Sequence, residues 1–334
     1  MSYLSGKQRN IMPELPEVET IARTLRPHVQ GCVITNAQVL RATSQHPLSL
    51  PLEHLRGCRI AEVGRRGKLL LLQLDASNAE NAAVRGCKDL RLAVHLRMTG
   101  RLMTYTPQTA PGPHTRCVFD LDIPASQVGA QKENAVARAG HASSAQAKDA
   151  QDQLKGTAPD IHEGPRRLFF DDVRAFGLVL AGTPDIFDRW PFWSELGPEP
   201  LTLTPKIFAK SLSGRKSAIK AVLLDQKILA GVGNIYADES LFAAGIDPRR
   251  KAADLTRVQM DTLLKALQDV LLLSISQCGS SIRDYKDANG NAGAFQNTFA
   301  VYGRGGQPCK KCGRPLEKAK VAGRGTVYCS QCQR

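Results

Sequence analysis

Residues 12–20 read Met12-Pro13-Glu14-Leu15-Pro16-Glu17-Val18-Glu19-Thr20. Pro16, Glu17 and Glu19 make a good helix start, because proline suits the first turn and acidic side chains suit the positive end of the helix dipole. Val18, Ile21, Ala22, Leu25 and Val29 then recur at helical spacing and predict one buried face. A capped amphipathic helix accounts for Pro16 to Glu19 but gives Pro13 and Glu14 no structural reason. A proline that became the first residue after methionine would offer a secondary amine with a carboxyl group beside it. A proline inside a peptide bond has no basic nitrogen, and eleven residues precede Met12 here.

Working outward, residues 32–122 are strand-like. Val33-Ile34, Val39-Leu40, residues 68–74 and residues 92–96 are short apolar or alternating runs broken by Gly, Pro and Asn. Residues 76–91 read as an extended loop. Residues 123–165 contain no aromatic side chain, ten of the 43 are alanine, and the charges nearly cancel. Such a stretch cannot bury enough apolar area to offset ordering entropy, so it is expected to be a disordered insertion in a hairpin connection. Residues 171–180 close the first domain, and a linker follows through Pro191 and Leu196-Gly197-Pro198-Glu199-Pro200. Helices are predicted at 205–211, 218–224, 235–244 and 255–276, and a β-hairpin from Phe299 onward. The expected domains are 12–190, 191–298 and 299–334, with 1–11 as an extension.

The chain has 334 residues and a formal charge of +14, with a pI of about 9.5. That balance favours a polyanionic partner. Residues 301–334 carry eight Lys or Arg against Glu317 alone, which is +7, half of the net charge. Of nine cysteines, Cys32, Cys58, Cys87, Cys117 and Cys278 are scattered singly, which does not suit a disulfide framework and does suit a reducing compartment. The first eleven residues lack the apolar core of a secretory signal, and no run approaches membrane-spanning length. These features read as a soluble intracellular protein with no membrane partner.

Cys309-x2-Cys312 and Cys329-x2-Cys332 stand sixteen residues apart. Each pair lets two thiolates converge from one tight turn, and two such knuckles complete a tetrahedral sulfur site for one structural zinc ion. With all four positions filled by protein, no place remains for a catalytic water. Zinc would hold a basic hairpin too small to fold alone.

Several motifs follow in one order: Met12 to Thr20, Arg65-Arg66-Gly67-Lys68, His95-Leu96-Arg97-Met98-Thr99-Gly100, Asp172-Val173-Arg174-Ala175-Phe176-Gly177, Leu196 to Pro200, Gly231-Val232-Gly233-Asn234-Ile235-Tyr236 and Val301-Tyr302-Gly303-Arg304. Together they resemble the bacterial formamidopyrimidine-DNA glycosylases across the chain, leaving out residues 1–11 and the insertion. The resemblance implies an α+β fold: an N-terminal β-sandwich with a catalytic N-terminal helix, then a helix–two-turn–helix domain ending in a β-hairpin zinc finger. It implies excision of oxidised purines from duplex DNA by a cytoplasmic, nucleoid-associated bacterial monomer. A free Pro13 amine would attack C1′ of the sugar, with Glu14 as proton shuttle, Lys68 assisting base loss and Arg304 acting on phosphate during elimination. Met98, Arg174 and Phe176 resemble the residues that fill the void left by an extruded base. Without the resemblance, Met98 and Phe176 would read as core.

His114, Arg215, Asn234 and Lys220 match DNA-contact positions, with the 231–233 glycines letting backbone amides approach a phosphate. Glu17, Ser280, Ser281 and Tyr285 resemble the lesion-reading set, although Glu17 also suits a first helical turn for its dipole alone. Ala175, Arg116 and Cys278 depart from common family residues without removing a reacting group. The chemistry also implies that Met12 is the true initiator and that 1–11 are a misplaced start. Two alternatives stay open: an endonuclease VIII-type enzyme for oxidised pyrimidines, and a catalytically silent zinc-dependent DNA-binding protein if residues 1–11 persist.

Overall fold

The first helix, α1 (Leu15–Val29), starts where Glu14 and Glu17 meet: the Glu14 amide donates to Glu17 Oε2 at 3.0 Å. Its apolar stripe divides between two cores. Val18, Ile21, Ala22, Leu25 and Val29 enter the core of the strand domain, whereas Leu15 enters the core of the helical domain. The computed structural model describes residues 12–123, 165–281, 287–288 and 290–334. The expected extension, nearly all of the 123–165 insertion, and Tyr285 lie outside the described residues.

Eight antiparallel strands follow: β1 (Val33–Val39), β2 (Arg59–Arg66), β3 (Leu69–Asp75), β4 (Leu90–His95), β5 (Gly100–Tyr105), β6 (Thr115–Asp122), β7 (Arg166–Asp172) and β8 (Leu178–Gly182). Their hydrogen-bonded order is β5-β7-β6-β1-β2-β3-β4-β8. β1 and β2 meet at one register pair, Val33 with Arg59, so the sheet turns a corner there. Four strands on each side face one common core, with Ile34, Phe119 and Phe170 from one layer and Val63, Leu70, Leu72 and Val94 from the other. This is the expected sandwich. β6 and β7 pair from Thr115–Asp171 at one end to Leu121–Arg166 at the other. The chain between them therefore leaves and returns at the Asp122/Arg166 end.

Sequence patterning misses β2 and β5, whose arginines and glycines interrupt the apolar alternation. It also misses structure inside the expected linker. Pro184–Asp188 (α2) and Pro191–Ser194 (α3) are short helices, each with proline in the first turn. Phe187 and Trp190 cover the outer face of the sheet at Leu69, Ala93 and Leu180. The leucine run of β3 is thus buried on both faces. Aromatic density across residues 187–193 was the available signal.

The helical domain contains α4 (Pro205–Leu212), α5 (Ile219–Leu224), α6 (Asn234–Ala244) and α7 (Arg257–Ser276), within two residues of expectation. Thr204 and Thr256 cap α4 and α7 through their side-chain oxygens. α6 is buried from Ile235 to Phe242, and that stretch includes Asp238 and Glu239. Buried carboxylates need donors. Glu239 accepts the amides of Ala300, Val301 and Tyr302 at 2.8, 2.9 and 2.7 Å, which ties the C-terminal hairpin to α6. The hairpin itself pairs β9 (Glu317–Val321) with β10 (Arg324–Tyr328). Its turn residues Ala322 and Gly323 both have positive φ, the tight form that matches strand twist.

Glu239→Ala would strand three amides. We expect it to lower unfolding free energy by about 3 kcal/mol, the upper range for leaving buried polar groups unpaired, with Glu239→Gln costing less. Urea denaturation followed by tryptophan fluorescence measures both.

Candidate active site

A cavity of about 820 Å³ opens between the two domains. Glu14, Lys68, Met98, Phe176, Asn234 and Arg324 are among its lining residues, as is Met12. Glu14 is buried, and its carboxylate sits on the start of α6, accepting Ile235 N at 3.1 Å and Tyr236 N at 3.5 Å. Gly233 makes this approach possible, since a Cβ there would lie 2.2 Å from Glu14 Cδ. Gly231, at φ +84, accepts the Leu15 amide at 3.0 Å. The glycine loop therefore receives the catalytic helix itself. Its helix-terminal amides serve Glu14, where a phosphate was expected.

Burial raises the Glu14 carboxyl to about 7; the Lys68 charge opposes that rise and the Glu17 charge adds to it. Lys68 occupies the two-residue turn between β2 and β3 and is also buried. Burial lowers its amine from the usual value, while Glu14 and Glu17 pull it back up and Arg324 lowers it further. The pair thus brings an acid and an amine toward each other in affinity for protons, as proton transfer near neutral pH requires.

Glu17 is not free to read a ligand in this arrangement. Its Oε1 accepts Tyr236 Oη at 2.6 Å, Ser280 N at 2.8 Å and Ser280 Oγ at 2.9 Å, while its Oε2 takes the Glu14 amide. Glu17 and Ser280, both expected at the lesion, are brought together but bond to each other. Ser281 donates its amide to Gln296 Oε1 and accepts the Gly293 amide on Oγ.

Met98, Arg174 and Phe176, the three residues expected to fill a void, lie near one another. Met98 and Phe176 line the same cavity, Phe176 is 61% exposed, and Arg174 Nη1 lies 3.8 Å from Met98 Sδ. An exposed phenylalanine at that position is not core. Asp172 braces this loop by accepting from Thr99 Oγ1, the Arg174 amide and the Gly177 amide. His114 is exposed beside the same loop, and its carbonyl accepts the Asp172 amide at 2.9 Å. Arg215 is exposed between α4 and α5.

Two basic residues are corrected. Lys220 is fully buried: its Nζ lies 2.6 Å from Asp238 Oδ1, 2.7 Å from Thr326 Oγ1 and 3.2 Å from the Gly325 carbonyl. Its charge holds the hairpin to α5 and α6 instead of facing DNA. Arg304 turns into its own loop, donating to Gln307 Oε1 and to the carbonyls of Ala300 and Pro308. The hairpin residue that reaches the cavity is Arg324, just beyond the turn, with Gly323 and Gly325 beside it. Sequence reasoning missed it; the signal was a basic residue directly after a tight Ala-Gly turn. Asn234 opens α6 after Gly233 as its cap, and its Nδ2 donates to the Gly325 carbonyl at 3.0 Å.

The ligand atoms of the four hairpin cysteines all lie within 4.8 Å of one another, with Cys309–Cys332 at 3.9 Å and Cys312–Cys329 at 3.5 Å. Tetrahedral zinc–thiolate bonds of about 2.3 Å place sulfurs roughly 3.8 Å apart, so the four thiolates fit one structural zinc ion.

Comparisons with known proteins agree with this geometry. Residues 12–179 match the formamidopyrimidine-DNA glycosylase N-terminal domain, 196–286 the formamidopyrimidine-DNA glycosylase H2TH domain, and 306–334 the zinc finger found in FPG and IleRS. The formamidopyrimidine-DNA glycosylase of Nitratidesulfovibrio vulgaris is 41% identical over 97% of this chain and 100% of its own length. That of Thermomicrobium roseum is 37% identical over 96% and 99%. Among solved structures, MutM (FPG) from Thermus thermophilus is 35% identical with a TM-score of 0.72, covering 96% of this chain and 98% of that one. A Lactococcus lactis FPG mutant in complex with DNA containing Fapy-dG is 29% identical with a TM-score of 0.73, covering 96% and 100%. A chain that matches all three segments in order, and a relative at 41% identity over 97% of its length, belongs to the formamidopyrimidine-DNA glycosylase family.

Proposed function

We propose that the protein is a bifunctional DNA glycosylase and AP lyase of base-excision repair, acting on oxidised purines such as 8-oxoguanine and formamidopyrimidines in duplex DNA. One observation carries the reading. Glu14, Lys68 and Arg324 surround the Pro13 end of α1 in a cavity whose mouth bears Met98 and Phe176.

A flipped nucleotide would bring C1′ to the Pro13 nitrogen. The neutral secondary amine forms a bond to C1′ as the glycosidic bond breaks, and the base leaves with a proton. Glu14, half protonated near pH 7, supplies and recovers protons during base loss and ring opening. The resulting iminium is cationic without further protonation. It acidifies the neighbouring C2′ hydrogen, whose loss expels the 3′ phosphate; a second elimination expels the 5′ phosphate. Arg324 is positioned to stabilise phosphate. The zinc ion supplies no chemistry, because its four ligands are protein thiolates; it holds the hairpin that carries Arg324. Met98 and Phe176 fill the emptied stack, and Arg174 faces the unpaired cytosine. No helix among the described residues is long and apolar enough to cross a membrane. A DNA substrate supports a bacterial cytoplasmic setting, on the nucleoid.

The mechanism needs a free Pro13 nitrogen. Met12 lines the cavity beside Glu14 and Lys68. Removing residues through Met12 would both free the amine and vacate space where the sugar must sit. Borohydride trapping on 8-oxoguanine duplex tests this: protein beginning at Pro13 should form the covalent adduct, and protein retaining residues 1–12 should not. An adduct from the longer chain would overturn the mechanism.

The single-turnover excision rate should fall as pH rises through about 7, where Glu14 loses its proton. Glu14→Gln should remove that limb and lower the rate by about 10² to 10⁴, the usual contribution of a positioned acid–base group. Arg324→Ala should slow strand cleavage at a preformed abasic site by at least about tenfold, while Arg304→Ala should act mainly on thermal stability. Gel assays of cleavage beside melting curves separate the two.

A further inference from the structure

Two motifs, Arg65-Arg66-Gly67-Lys68 and Leu196 to Pro200, are distant in sequence, and no step of the proposed chemistry uses the second. In the fold they interlock. Glu199 Oε1 accepts the Gly67 amide at 2.6 Å and Arg66 Nη1 at 3.1 Å, and its Oε2 accepts Arg65 Nη1 at 2.6 Å. Arg65 Nη1 also donates to the Gly67 carbonyl at 3.3 Å, and its Nε reaches Glu19 of α1 at 3.0 Å. Arg66 Nη2 returns to the carbonyls of Leu196 and Gly197 at 3.1 and 2.6 Å. Both peptide groups flanking Gly67 are therefore held by Glu199, directly or through Arg65. Gly67 itself, at φ +58, leaves only 3.2 Å between a built Cβ and Leu196 Cδ2.

The turn consists of Gly67 and Lys68 alone, because Arg66 pairs with Leu69. A two-residue turn has little freedom once one of its residues is fixed. We infer that Glu199 is a positioning residue for Lys68. It locks the turn so that the buried amine is presented beside Glu14, and it ties that placement to the segment joining the two domains. The charges support a specific role. Arg65 is nearly buried, at 8% side-chain exposure. Its two carboxylate partners are Glu199 and Glu19, so loss of Glu199 leaves a largely desolvated guanidinium half-paired.

The inference rests on the proposed role of Lys68, and a double-mutant cycle tests it separately from that role. Single-turnover excision of 8-oxoguanine is measured for protein beginning at Pro13, for Glu199→Gln, for Lys68→Met and for the double variant. Zinc content and binding to an abasic-analogue duplex serve as folding controls. Glu199→Gln should lower the rate roughly tenfold to a hundredfold when Lys68 is present, the scale of an ångström of misplacement. It should change the rate less than about twofold in the Lys68→Met background. Equal factors in both backgrounds would overturn the positioning role. Absence of excision by the parent protein would instead overturn the proposed function. Should Glu199→Gln fail to fold, Arg66→Met breaks the same clamp from the other side and enters the same cycle.

Discussion

Everything in the site depends on one buried carboxylate reaching the end of one helix. Glu14 lies on the first amides of α6, so the catalytic end of α1 is fixed to the helical domain while the rest of α1 belongs to the sandwich. A helix N-terminus favours the anion, and burial disfavours it. Burial wins by enough to hold the carboxyl near 7, so the contact that joins the two domains also sets the proton affinity of this group. The cost in sequence is strict. Gly233 must lack a side chain, Gly231 must adopt positive φ, and Leu15 must fill a core other than the one its neighbours fill.

Much of this was legible in the sequence, for identifiable reasons. α1, α4 and α7 carry clear periodicity and caps, and the cysteine knuckles state their own geometry. Lys68, Met98 and Phe176 could be read only through the resemblance, since alone each has an ordinary explanation, whereas Pro13 and Glu14 stood out as residues that a capped helix does not account for. What stayed hidden depends on direction in space. The 231–233 glycines looked like a phosphate cradle because sequence shows that backbone can be approached, not by what. Glu17 and Ser280 were expected to read the lesion; that they lie together and bond to each other is a fact of distance. α2 and α3 were hidden because prolines and aromatic residues read as linker until a sheet face needs covering.

Basic residues show the same lesson most clearly. A net charge of +14 suggests a surface turned toward a polyanion. Yet Lys220, Arg304, Arg65 and Arg66 direct their charge inward, to Asp238, to loop carbonyls and to Glu199. These inward cations assemble the molecule, whereas Arg324 lines the cavity between the domains. Two arginines only twenty residues apart, Arg304 and Arg324, fall on opposite sides of that division because a tight turn carries one to the hairpin tip.

The β6–β7 pairing has a practical consequence. Its Thr115–Asp171 end adjoins His114 and the loop of Arg174 and Phe176, while the chain departs at Asp122 and returns at Arg166. Eight residues of strand, about 26 Å at 3.3 Å each, separate the two ends. The departure point is thus a natural address for grafting: a fluorophore or capture domain inserted there would stand clear of Arg174 and Phe176.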